Sequence, residues 1–162
     1  GVAKGTLYLY FDTKAALMEG VIVSTIIPAL EKIGDAAGAE DGPAKERLAR
    51  QMRIAAKRMA SPEMAILLRH MISGGEQAKP IVKFYYDKVV QLGLEHIQAT
   101  LDYGVKTGEF RKEVSEIDPL VFVGAPVYTG VWNILFDDMQ ALDDEKLIAD
   151  YLDSVILGLL SK

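Results

Sequence analysis

The stretch Gly1-Val2-Ala3-Lys4-Gly5-Thr6-Leu7-Tyr8-Leu9-Tyr10-Phe11-Asp12-Thr13-Lys14 decides how the rest of this chain is read. A turn of small residues, Gly1 to Ala3, leads into a short helix carrying a basic residue, a hydroxyl and two tyrosines. That is the make-up of the second half of a helix-turn-helix. The N-terminal end of a recognition helix must come close to base edges, which suits Gly5, and Thr6, Tyr8, Tyr10 and Lys14 are able to donate hydrogen bonds to phosphates. The competing reading of the same residues is an aromatic helix face, Leu7, Tyr8, Tyr10 and Phe11, packed in a core.

The string also closely resembles the signature that ends the DNA-binding domain of the tetracycline-repressor (TetR/AcrR) family of transcriptional regulators. That signature, G-V-x-K-G-T-L-Y-x-Y-F-x-x-K-x-x-L, has every fixed position filled from Gly1 to Leu17. The resemblance implies that Ala3, Lys4 and Gly5 face bases and that Thr6, Tyr8, Tyr10 and Lys14 contact the sugar-phosphate backbone, while Leu7 and Phe11 hold the helix on its domain. It also implies a truncated regulator in which two helices before Gly1 are missing. Residues 1–20 are then the remnant of a helix-turn-helix domain, and residues 21–162 a ligand-binding and dimerisation domain. A two-turn helix deprived of its packing partners has little stability of its own, so poor DNA affinity is expected of these residues alone.

Half of the chain is apolar and its net charge is −5, which fits a globular protein and excludes a disordered one. An acidic balance argues against nucleic-acid binding by the chain as a whole, yet the resemblance confines DNA contact to the N-terminal domain. With no cysteine there is neither a disulfide frame nor a thiolate metal site, and a cytoplasmic location is expected. The longest uncharged run, Leu120 to Phe136, is too short for a spanning helix and contains Gly124, Pro126, Thr129, Gly130 and Asn133. A helix buried against protein is the better reading, with no membrane partner.

Apolar spacing of three and four residues recurs in every long segment, so an all-α fold is expected. Asp12-Thr13 caps a helix running toward Ile33 that Pro28 should kink, and residues 34–42 read as a loop. A second helix spans Pro43 to Met59, with Leu48, Met52, Ala55 and Met59 facing in and its bases, Lys45 to Arg58, on a solvated face. A third starts at Ser61-Pro62 and stops at Gly74-Gly75; a fourth runs from Lys79-Pro80 to Thr107, stopped by Gly108. Asp118-Pro119 opens the uncharged helix. Asp143 opens the last, whose stripe is Leu147, Ile148, Tyr151, Leu152, Val155 and Leu159.

This order resembles the regulatory domain of the same family, in which the last two long helices of each subunit form a four-helix bundle. The expected dimer surface comprises Phe122, Ala125, Trp132, Phe136, Tyr151, Val155 and Leu159, with Gly124, Ala125 and Gly130 permitting close helix approach. A helix almost free of charge should not face water on any side, which supports a partner there.

Sites for catalysis are thin. His70 and His96 are the only histidines, no metal-binding spacing is present, and no strand precedes a Gly-rich phosphate loop. No enzyme activity, cofactor or metal is expected. Met52, Met59, Met64 and Met71 lie on two successive helices, with Tyr85, Tyr103 and Tyr128 on the helices that should surround them. Flexible thioethers and flat aromatic walls suit a small-molecule cavity, although ordinary core packing explains each residue as well. His70 and His96, with Arg69 and Gln91, are the nearby polar groups, so an uncharged or weakly polar effector is expected. The combined reading is a homodimeric repressor released from operator DNA by a small apolar or aromatic ligand. The alternative is a helical ligand-binding or oligomerisation domain with no role on DNA.

Overall fold

A computed structural model of the chain describes residues 13–28, 30, 31, 34 and 42–161. These residues are helical nearly throughout, as the spacing of apolar residues requires, and among them the only strand-like pairing is one bridge between Phe110 and Leu160. Helix α1 (Lys14–Val21) passes into a π-helical turn over Ile22–Ile26. Then come α2 (Ala44–Met59), α3 (Pro62–Ser73) and a rod made of α4 (Lys79–Tyr85), a second π-turn (Tyr86–Val90) and α5 (Gln91–Lys106). Helices α6 (Gly124–Leu135) and α7 (Asp144–Leu159) complete the order.

The caps are local and chemical. Thr13, Ser61 and Asp143 each accept a hydrogen bond from the backbone N–H three residues on, at 3.0, 3.2 and 2.9 Å, which satisfies donors the helix start leaves unpaired. Gly108, at φ 77°, ends α5 in the left-handed conformation that glycine adopts without strain. Helix α2 starts at a proline with no side chain to cap it. The Glu109 carboxylate does so from across the fold, accepting from the backbone N–H groups of Ala44 and Lys45. A negative charge there also opposes the helix dipole favourably.

Two apolar clusters hold the molecule. The first gathers Leu48, Met52 and Ala56 of α2, Ile97 and Leu101 of α5, and Ile148, Leu152 and Leu159 of α7 around Phe110, Val114 and Phe122. The second joins Ile22 and Ile26 of the first π-turn to Met64 and Leu67 of α3 and Ile81 and Val89 of the rod. Helix α2 packs against α5, α6 and α7, so it is central to the arrangement. Its contact with α6 is close: a Cβ added at Gly130 would stand 3.1 Å from the Met59 carbonyl oxygen and 2.9 Å from its Cε.

Three features depart from the expected pattern. Pro28 lacks an N–H and its ring crowds the carbonyl four residues back; the helix widens into a π-turn over the five residues around Ser24. The hydroxyls of Thr25 and Ser24 donate to the Val21 carbonyl at 2.6 and 3.4 Å. The uncharged run is not one helix, because a 3₁₀ turn over Pro119–Val121 precedes α6 and turns Phe122 into the first cluster. The fourth helix carries its own π-turn.

Gly104 tests the first cluster. A Cβ there would lie 2.2 Å from Cδ2 of the buried Phe110 ring, so Gly104→Ala must displace the ring or the helix and should cost about 1–3 kcal/mol. Urea denaturation reads this directly; an unchanged midpoint would show that the ring does not pack on Gly104.

Candidate ligand pocket

Between the two clusters lies a cavity of about 320 Å³, within the range usual for small-molecule sites, ~300–1,000 Å³. Helix α2 gives it Gln51, Met52, Ile54, Ala55, Arg58 and Met59. Ile26 comes from the first π-turn, Leu30 from the helical residues that follow it, and Met64 and Leu68 from α3. Tyr85, Val89, Val90, Gly93, Leu94 and Ile97 come from the rod, and Leu120, Val123, Pro126 and Val127 from the start of the uncharged segment. Leu120 and Val127 are exposed and form its rim. Both π-turns contribute wall, which is where widened turns are often found.

Three polar side chains interrupt the apolar wall. Gln51 is buried; its Nε2 donates to the Thr100 hydroxyl at 2.9 Å and the His96 carbonyl at 3.2 Å, while Oε1 has no partner. Arg58 is half-buried. One guanidinium nitrogen, Nη2, donates to the Thr25 hydroxyl at 2.8 Å, and its Nε is buried without a partner. The Tyr85 hydroxyl donates only a weak bond, to Met64 Sδ at 3.9 Å. Burial pushes its pKa above the ordinary tyrosine value, against a smaller opposing pull from the charge of Arg58. The phenol therefore keeps its proton, and the Arg58 charge is close enough to act on it.

Of the residues expected in a pocket, Met52, Met59, Met64 and Tyr85 line this one. The other five do not. Tyr103 lies beneath the Arg47 guanidinium, 3.9 Å from its ring centroid, a cation–π contact that occupies its face. The His96 ring is against Gly34, where a Cβ would come within 2.7 Å of it. Met71 packs on the outside of the second cluster, His70 is half-buried in the last turn of α3, and Tyr128 is 52% exposed with its ring tilted against Trp132. Gln51 and Arg58 escaped the sequence reading, which placed the bases of α2 on a solvated face. Their signal was present: residues 51, 55 and 58 are spaced four and three apart, on the same side of the helix as Met52 and Met59.

The expected dimer residues divide in the same way. Phe122 and Leu159 are 1% and 3% exposed inside the chain's own first cluster, and Ala125, Tyr151 and Val155 pack against it. The Tyr151 hydroxyl donates to the carbonyls of Val121 and Phe122, at 3.1 and 3.3 Å. Gly130 is closed over by Met59, while Gly124 has open space where a Cβ would be. Trp132 and Phe136 form a tilted ring pair at 5.0 Å, with Phe136 39% exposed. Of the residues expected on DNA, Ala3, Lys4, Gly5, Thr6, Tyr8 and Tyr10 lie outside the described residues, and Lys14 is described only as the first residue of α1.

Among the described residues no group of histidine and carboxylate side chains is placed to hold a metal ion, and no helix is long and apolar enough to cross a membrane. Comparison with protein-family models and with curated proteins finds no match for the chain.

The cavity can be filled from within. Ala55→Phe projects a ring into it from α2 with room to accommodate the added volume, so thermal stability should change little. Binding of a neutral naphthylamine fluorophore should weaken at least about tenfold, a loss of ~1.4 kcal/mol. Unchanged fluorophore affinity with an intact fold would mean that the dye, and the binding site it reports, lies elsewhere.

Proposed function

We propose that this chain is the regulatory part of a TetR-like transcriptional repressor, acting as a homodimer and released from DNA by a small molecule held in the α2 cavity. One observation carries the reading. The helix that leads on from the recognition-like sequence at residues 1–14 is also a wall of the cavity, through Ile26 and Leu30, and is tied to it by the bond from Arg58 to Thr25. A molecule entering the cavity must therefore meet the element that connects to the proposed DNA-reading segment.

The mechanism is geometric. Two recognition helices of a dimer must stand about one DNA turn apart, ~34 Å, to enter successive major grooves. A change in tilt of α1 alters that separation, and a ligand shifts the equilibrium only as far as it binds one arrangement better than the other. The π-turn at Ile22–Ile26, which directly follows α1, is where the regular ladder is already broken, so a change of pitch there costs less than in an unbroken helix. No catalytic role is proposed for any residue, and Lys4 is assigned a base contact.

Exposed apolar residues supply the dimer surface of this proposal. Val121, Tyr128, Leu135 and Phe136 stand out on the segment that includes α6, and Leu157 on α7. Apolar side chains gathered on such a surface favour burial against a partner, and a second copy of the chain is the partner proposed.

The test uses the protein as encoded, with any residues that precede Gly1. Light scattering should give a dimer that binds a near-palindromic operator, and Lys4→Ala should weaken that binding by about 1–3 kcal/mol. A monomer with no operator in a genome-wide binding selection would leave a helical ligand-binding domain without a role on DNA.

A further inference from the structure

Among the described residues the cavity wall has a single charged side chain, Arg58, and no acidic residue. Among the described residues no carboxylate lies within ion-pair distance of Arg58, whose one hydrogen bond is to the neutral Thr25 hydroxyl. Its Nε–H is buried with nothing to donate to. The Arg58–Thr25 bond is itself exposed, but a half-buried cation with no counter-charge still gains from an anion that reaches it. The Tyr85 hydroxyl is a second donor on the same wall, held in its protonated form and engaged only by a thioether.

We infer that the ligand of this cavity is an apolar monocarboxylic acid, its carboxylate paired with the Arg58 guanidinium and the Tyr85 hydroxyl and its hydrocarbon body among Met52, Met59, Ile97 and Val123. This rests on the ligand-pocket reading above and narrows it from an uncharged effector to an anionic one. The alternatives fail on charge. A neutral ligand leaves the guanidinium without a counter-charge, an amine is repelled by it, and a doubly charged phosphate finds one compensating charge where it needs two. A carboxylate matches the single cation and accepts two hydrogen bonds at once. The rest of the wall is apolar and adaptable, so the body of the acid is selected by size and hydrophobicity.

Three probes of equal chain length decide the matter: decanoate, decanol and decylamine, each displacing the neutral naphthylamine fluorophore from the full 162-residue chain. A charge-assisted hydrogen bond contributes ~1.5–3 kcal/mol, so decanoate should bind at least about tenfold more tightly than decanol, and decylamine more weakly than either. In Arg58→Gln the preference of decanoate over decanol should shrink to less than about twofold, while decanol binds as before. That unchanged affinity for decanol also reports an intact fold. Arg53→Gln, an exposed position on the same helix, should leave the preference intact. Equal binding of decanoate and decanol to the parent chain, or a preference that survives Arg58→Gln, overturns the inference and leaves the pocket standing. Failure of all three probes to displace the fluorophore overturns the pocket as well.

Discussion

Helix α2 has to satisfy two demands that pull against each other, and the rest of the molecule follows from how it does so. Its first three turns close a dense core with α5 and α7 through Leu48, Ala49 and Met52. Its last two turns, Ile54 to Met59, stand against α6 at Gly130 yet leave open volume toward the rod. A helix that packs tightly along one half and stands off along the other needs its neighbours to change direction or width. The two π-turns and the 3₁₀ break before α6 supply those changes.

The cavity is thus a consequence of irregular helices around a regular one. Both widened turns put side chains into its wall, Ile26 from one and Val89 and Val90 from the other. In the first, the hydroxyl of Thr25 holds the Val21 carbonyl and in turn accepts from Arg58. Helix α1, its π-turn and the cation of the cavity wall are therefore linked by three atoms. The backbone bonds of such a turn reach one residue further than those of a regular helix, so the regular ladder is interrupted there.

Helix type, order and most boundaries could be read from the chain because their causes are local. Thr13, Ser61 and Asp143 cap where hydroxyl and carboxylate side chains meet an apolar run, and Gly108 stops α5. What was hidden depends on distant residues. Glu109 caps a helix that begins 65 residues earlier in the chain, and the second π-turn carries no proline or glycine to announce it. Phe122 was read as an interface residue because an uncharged run invites that conclusion; packing against the first cluster turns it inward. Met52, Met59 and Met64 lie in the pocket wall, and the first two belong to the inward stripe that the spacing of α2 shows. Arg58 was passed over because a base is ordinarily solvated, although its position on the helix matched that of Ala55 and Gln51.

In the proposed mechanism, occupancy of the cavity is felt by α1. Hydrogen exchange of the backbone amides from Ile22 to Ile27, with and without saturating decanoate, measures it most directly, since the Ile27 N–H closes the π-turn on the Ile22 carbonyl. The account predicts that exchange in this segment changes together with protection of α2 and α5. Protection confined to α2 and α5, with residues 22–27 exchanging as before, would contradict it.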